Sequence, residues 1–199
     1  MNLRDRKKAQ TRQRIADTAT LMFKEHGFDA VTVADVARAA DVSTMTVFNH
    51  FARKEDLLLD RIPEAVLLLT QAVEGRADGV APLAALRQMV FQLVDQGHPF
   101  GAIGDSFGWF WQVVLDSPAL RARAREALEE IEGVLGRLLQ QAGVPNPRLA
   151  AALLLAGYRV AYADAVGRQV AGVAAAEVVV GHRAMIGEVF DAVERAVGN

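Results

Sequence analysis

Cysteine is absent from the 199-residue chain. Disulfide frameworks, thiolate zinc sites and cysteine nucleophiles are therefore excluded, and a chain without cross-links suits a reducing cytoplasm. Long hydrophobic runs are lacking as well. The longest, Leu149 to Tyr158, is ten residues and stops at Arg159. A membrane-spanning helix needs about 20, so no membrane partner is expected. The N-terminus, MNLRDRKKAQTRQRIADTA, puts charge where a secretory signal has its apolar core, and a cytoplasmic protein is expected. Strand signals are scarce too: few stretches alternate apolar and polar residues, and no hairpin dipeptide sits between β-rich runs.

The composition that remains, 52% hydrophobic and 23% charged, is that of a globular protein. The net charge of −2 conceals an asymmetry. Residues 1–14 carry six basic side chains (Arg4, Arg6, Lys7, Lys8, Arg12, Arg14) against Asp5 alone, whereas residues 15–60 carry four basic and eight acidic ones. All four lysines lie in the first 54 residues.

Helical spacing dominates, and the fold class is all-α, with about nine helices. Ile15, Ala19, Met22 and Phe23 mark one face of a first helix, which Gly27 ends. Thr32 caps a short helix to about Ala39, with Asp35 three residues on. Ser43 caps another, to about His50. A longer helix is predicted from Lys54 to Val73, its first turn favoured by Glu55 and Asp56. After the break at Glu74–Gly79, helices are predicted at about 81–96, 104–115, 118–142, 147–170 and 174–197.

Residues 32–51, TVADVARAADVSTMTVFNHF, contain the parts of a helix-turn-helix. Ala34, Ala37 and Ala40 are small enough for a helix crossing. Val33, Val36, Val42 and Val47 supply inner anchors. Asp41 tolerates the left-handed backbone that the turn needs. Residues 11–58, with Arg14-Ile15, Ala19, Leu21-Met22-Phe23, Gly27-Phe28, Thr32-Val33, Asp35-Val36-Ala37, Val42-Ser43, Thr46, Phe51, Lys54-Glu55 and Leu57-Leu58, closely resemble the DNA-binding region of tetracycline-repressor (TetR) family regulators. The resemblance covers about a quarter of the chain. It departs from the family pattern at Asp41 (usually glycine), at Phe48 and His50 (usually tyrosines) and at Arg53 (usually a small polar cap).

The resemblance implies a DNA-binding domain over 1–53 and a ligand-binding and dimerisation domain over 54–199, linked by the helix at 54–73. It implies a regulator, by family default a repressor, released from a palindromic double-stranded operator by a small effector, with no cofactor. It assigns the second helix of the motif to the major groove. Thr44, Met45 and Asn49 are then placed to reach base edges: asparagine pairs bidentately with adenine, and methyl groups meet thymine methyls. The Thr32 and Val33 amides, at a helix N-terminus, offer N–H groups to phosphate, and Ser43, Thr46, Phe48, His50 and Lys54 complete the contact surface. The basic arm, Arg4, Arg6, Lys7 and Lys8, is expected to be a flexible minor-groove tail.

In the larger domain, aromatic residues concentrate. An effector pocket wants apolar and aromatic walls with few polar groups, and Phe91, Phe107, Phe110, Trp111, Tyr158 and Tyr162 with His98 and Arg159 are the candidates. Asp105, Gln112 and Asp164 are further polar candidates. The aromatic walls suggest a mainly apolar or planar ligand. Val179, His182, Ile186, Val189 and Val193 form a stripe on the last helix, and Ala152, Ala156, Val160, Ala163 and Gly167 a small-residue face on the preceding one. The family pairs these two helices with their copies, so a homodimer is expected.

Enzymatic readings are weak. The Gly104-Asp105-Ser106-Phe107-Gly108 string only superficially suggests a nucleophilic serine, no phosphate or dinucleotide loop appears, and Asp95 with His98 is a poor metal pair. No catalytic or metal-binding residue is expected. The alternative to a regulator is a helical small-molecule-binding protein or enzyme that keeps a degenerate motif, for which Asp41 and Phe48 are the only hints.

Overall fold

A computed structural model describes residues 3–104 and 107–198, with Phe107 by its backbone alone. Among the described residues there are nine α-helices and no strand. They are α1 (Leu3–His26), α2 (Val33–Ala39), α3 (Thr44–His50), α4 (Ile62–Glu74), α5 (Pro82–Asp95), α6 (Phe107–Asp116), α7 (Pro118–Gln141), α8 (Pro147–Val170) and α9 (Ala175–Val197). The chain forms two compact units, one of residues 1–61 with 109–124 and one of 62–108 with 125–199.

In the first unit, Ile15, Ala16, Ala19 and Phe23 form the buried stripe of α1. They share a core with Val36, Val47, Phe51 and Leu57. Each such large side chain contributes about 1.5–3 kcal/mol by leaving water. Gly27 (φ +80°) ends α1, its N–H bonding the Phe23 carbonyl at 3.0 Å. The basic arm is not the flexible tail expected: Arg4, Arg6, Lys7 and Lys8 are exposed on the opening turns of α1. No glycine or proline interrupts residues 3–26, arginine, lysine, glutamine and alanine are strong helix formers, and Asp5 occupies the first turn, where the helix dipole favours an acid.

The helix expected from Lys54 begins instead at Ile62. Residues Glu55–Leu57 make one 3₁₀ turn, with Leu57 and Leu58 both buried and Asp56 bound to Arg123 Nε at 2.7 Å. Pro63 explains the break. Its ring collides with the carbonyl four residues back and it has no N–H to donate, so a helix can start at Pro63 but not run through it.

α6 carries a third difference. Trp109, Phe110, Trp111 and Val113 pack on the core of the first unit, and Val114 and Leu120 are buried within it. Lys24 lies over the Trp109 ring at 5.5 Å.

In the second unit α8 and α9 pack along each other. A Cβ on Gly157 of α8 would lie 2.6 Å from Val189 Cγ1 of α9, so the helices meet at a glycine. α5 is tied to α9 by Arg87, which donates to the Gly187 carbonyl at 2.7 Å and to the Asp191 carboxylate, and by the Asp95–Arg183 ion pair. α8 is long and apolar enough to cross a bilayer by length and composition alone, a property its longest unbroken apolar run understates. Here Ala150, Ala151, Leu154, Ala161, Ala165 and Val166 are its buried face.

Candidate nucleic-acid interface and effector region

α2 and α3 have seven residues each, too few for stability without caps and packing. Both are capped. Thr32 Oγ1 accepts from the Asp35 N–H at 3.1 Å while Asp35 Oδ2 accepts from the Thr32 N–H at 3.0 Å. The hydrogen bond from the Thr32 side chain is the chief cause holding the Asp35 carboxyl below the ordinary carboxylate range. Ser43 Oγ accepts from the Thr46 N–H at 3.0 Å and meets Thr46 Oγ1 at 2.8 Å. Asp41 supplies the turn with φ +52°, and the Val42 N–H reaches back to the Ala37 carbonyl at 3.0 Å. Ala37 and Ala40 are buried at the crossing, whereas Ala34, expected there, faces solvent.

Val47 anchors α3 inward. Thr44, Met45, Phe48 and Asn49 point outward, with Met45 68% and Phe48 49% exposed. This face offers an amide, a hydroxyl and two bare apolar groups, the equipment for reading base edges and thymine methyls. The Thr46 hydroxyl is engaged by Ser43 before any partner arrives. Val33 is half-buried, and the Thr32 N–H is already used by its capping box.

Two cations differ from expectation. Lys54 turns inward: Nζ donates to the Phe28 carbonyl at 2.6 Å and lies 4.2 Å from the Phe28 ring centroid. Burial holds its ammonium below the ordinary lysine range. It braces the domain rather than standing as a free phosphate grip. Arg12, not singled out from the sequence, donates to the His50 carbonyl at 2.9 Å and to the Asp60 carbonyl at 3.0 Å, and stacks 4.1 Å over the Phe51 ring. It thus ties α1 to the C-terminal end of α3. No local pattern marks such a residue, since its partners lie 38 and 48 residues away. Burial, followed by Lys8 and Arg12, pushes the His50 imidazole down.

The aromatic set expected around an effector divides between the two units. Phe110 and Trp111 belong to the first. His98, Tyr158 and Tyr162 lie together in the second. Tyr162 Oη donates to the Pro99 carbonyl at 2.8 Å and Tyr158 Oη to the Phe100 carbonyl. His98 Nδ1 accepts from the Phe100 N–H at 3.2 Å, which places the proton on Nε2, 3.3 Å from Glu64 Oε1. Burial pushes the Tyr158 phenol well above its ordinary value. Phe91 is elsewhere, under the Arg183 guanidinium at 4.6 Å, and Arg159 is exposed on α8. The Phe107 side chain, Asp105 and Ser106 lie outside the described residues. Asp95 and His98 do not face one metal position: the first pairs with Arg183, the second with Glu64.

Of the residues expected at a dimer contact, Ala156, Val160, Ala163 and Gly167 are exposed on α8, while Ala152 is half-buried. On α9, His182, Ile186 and Val193 are buried inside the single chain. Val189 faces Gly157, and Val179 is half-buried. The three- and four-residue stripe on α9 is thus largely the face turned toward α8 and α5.

The fold and the capped α2–turn–α3 pair define a helix-turn-helix protein. Residues 15–60 match the model of the bacterial regulatory proteins of the tetR family. The chain is 32% identical over 140 residues to the HTH-type transcriptional regulator TcmR of Streptomyces glaucescens, covering 69% of this chain and 62% of that protein. It spans less than two thirds of the relatives TcmR and TtgR of Pseudomonas putida, covering 42% of the latter at 33% identity. Among solved structures, NalD, the secondary repressor of the MexAB-OprM multidrug efflux pump in Pseudomonas aeruginosa, superposes with a TM-score of 0.57 at 18% identity, covering 92% of this chain and 95% of that one. The chain belongs to the tetR family of regulatory proteins.

Proposed function

We propose that this protein is a dimeric, sequence-specific DNA-binding regulator, a repressor released from its operator by a small molecule. The observation that carries the reading is the outward face of α3, where Thr44, Met45 and Asn49 stand exposed on a helix whose two ends are held by Ser43 and Arg12. The matched family supports it, as do relatives named as transcriptional regulators. The rival reading, a degenerate motif on a binding protein or enzyme, loses its footing at Asp41. That residue adopts the left-handed turn that a glycine would adopt.

Dimerisation is assigned to the exposed apolar face of α8, where Val160 is 55% and Leu153 38% exposed. An apolar face of this kind calls for a partner surface, and a second copy supplies one that also doubles the DNA contact. The effector region is assigned to the second unit, around Tyr158, Tyr162 and His98. A DNA-binding dimer works where its operator lies, and on this reading its compartment is the cytoplasm.

The deciding experiment is binding of the purified protein to duplex DNA from upstream of its own reading frame, with Asn49→Ala alongside. Specific binding that Asn49→Ala weakens by about 1–3 kcal/mol, with relaxed preference at one adenine position, is expected. Binding no tighter than to random duplex would overturn the reading.

A further inference from the structure

The segment after α5 runs through the interior of the second unit. Gly101 and Ile103 are buried and Ala102 is fully so. Only part of its hydrogen bonding is its own: Gly101 N–H donates to the His98 carbonyl at 2.7 Å and Ala102 N–H to the Pro99 carbonyl at 3.4 Å. Four successive carbonyls, Pro99's in addition to its backbone bond, are held by side chains. Pro99 accepts from Tyr162, Phe100 from Tyr158, Gly101 from His182 Nε2 at 3.0 Å, and Ala102 from Gln169 Nε2 at 2.6 Å. Gln169 Oε1 in turn accepts from the Gly104 N–H at 3.1 Å. Three of the donors lie on α8 and one on α9.

Buried carbonyls cost free energy unless partnered, so this segment depends on donors brought to it from α8 and α9. Two phenols, an amide and an imidazole here converge on one strip of acceptors. All four are uncharged: burial pushes the Tyr158 phenol up and the His182 imidazole down. His182 Nδ1 makes no hydrogen bond among the described residues, although the Ala161 carbonyl is near enough to favour the charged ring. Meanwhile this segment, the strap of residues 99–104, is held in an unfavourable conformation. Ala102 has φ +60°, unfavourable for a residue with a Cβ. Gly101 is pressed so close to α5 that a Cβ would lie 2.5 Å from the Leu93 carbonyl oxygen.

We infer that Tyr158, Tyr162, Gln169 and His182 form an effector site now occupied by the chain's own 99–102 carbonyls, and that its ligand is a neutral molecule carrying two or more carbonyl-type acceptors on an apolar frame. The inference rests on the reading of the protein as a ligand-released regulator and gives that ligand a chemistry. A carboxylate finds no cation among the four donors, and a cation finds no anion. Displacement also has a route outward. The strap follows His98, whose Nε2 is bound to Glu64 on α4, and α4 starts at the residue directly after Arg61, the last of the N-terminal segment in the DNA-binding unit. A ligand that lifts the strap loosens that tie.

The test uses the full chain and the neutral dipeptide N-acetyl-Pro-Phe-amide, which offers three consecutive carbonyls, with its free-acid form as the charged comparison. Saturating the wild type with the amide should speed hydrogen exchange at Gly101, Ala102 and Gly104 by at least about 10-fold, and the free acid should bind at least about 10-fold more weakly. Gly101→Val, which unseats the strap but leaves the donors, should bind the amide about 10-fold more tightly than wild type. Adding Tyr158→Phe and Tyr162→Phe should return that affinity by roughly 30-fold, the worth of two hydrogen bonds. No binding of the amide to wild type at 10 mM, unchanged strap exchange on binding, or equal affinity for amide and acid overturns the site. Strap opening with undiminished operator binding keeps the site and removes the release reading. Release by another compound with strap amides still protected does the reverse.

Discussion

Asp60 shows how a single carboxylate registers its surroundings. Burial raises its pKa above the ordinary aspartate value, against the opposing pull of Arg61 and Arg12. A carboxyl raised in the folded state contributes stability below its unfolded pKa and loses it as pH rises through the folded one. At neutral pH the ionised Asp60 is therefore a burden. Asp60→Asn is expected to raise the melting temperature at pH 7, with the gain shrinking to nothing near pH 3, as thermal melts across that range will register. Asp41 is a second residue under local strain. Asp41→Gly should gain about 0.5–1 kcal/mol by relieving the left-handed backbone, or roughly 1–4 °C for a chain of this size. Asp41 was legible as a turn residue because its side chain tolerates that backbone. Arg12 was not, because its importance arises only when α1, α3 and Asp60 meet.

Among elements, those with chemical punctuation were readable. Gly27 ends α1, Thr32 and Ser43 open α2 and α3, and each does so by the hydrogen bond its side chain or backbone freedom predicts. The start of α4 at Ile62 rather than Lys54 is set by Pro63, whose missing N–H and ring clash outweigh the favourable acids at Glu55 and Asp56. The stripe on α9 illustrates a different shortfall. Periodicity reports that a face is apolar, not which neighbour covers it, and His182, Ile186 and Val193 turn out to be covered within the chain. Gly157 is where that packing can be tested. Gly157→Leu should drive α8 from Val189 and cost about 1–3 kcal/mol by overpacking, visible as a lower urea midpoint. The opening turns of α1 yield a further expectation. Deleting residues 1–8 removes Arg4, Arg6, Lys7 and Lys8. If about two phosphate contacts per protomer are lost, the log–log salt slope should shallow by about 4 per dimer, at roughly 0.9 each.

For the molecule as a whole, the two units make separable demands on mutation. Trp111 packs on the first unit, so Trp111→Ala should lower thermal stability by up to about 3 kcal/mol and weaken DNA binding with it. Operator affinity preserved in a protein of lowered stability would count against that placement. Val160, on the open face of α8, behaves oppositely: Val160→Glu should leave each chain folded yet yield monomers by light scattering, because the charge would be buried in a self-facing surface. The general architecture was accessible from sequence because helical periodicity and the α2–α3 motif are local. The division of the aromatic residues between units was not, since Trp111 and Tyr158 look equally suited to a pocket wall until the fold separates them.

The supports of α3 have a consequence for change over generations. Ser43 holds the Thr46 amide and Arg12 holds the His50 carbonyl, so both ends of α3 are gripped through backbone atoms rather than through the side chains of 46 and 50. The outward positions 44, 45 and 49 can therefore be rewritten without dismantling what carries them. On the proposed reading of α3, a lineage, or an engineer, can move such a protein to a new DNA sequence by altering its vocabulary while the scaffold stays as it is.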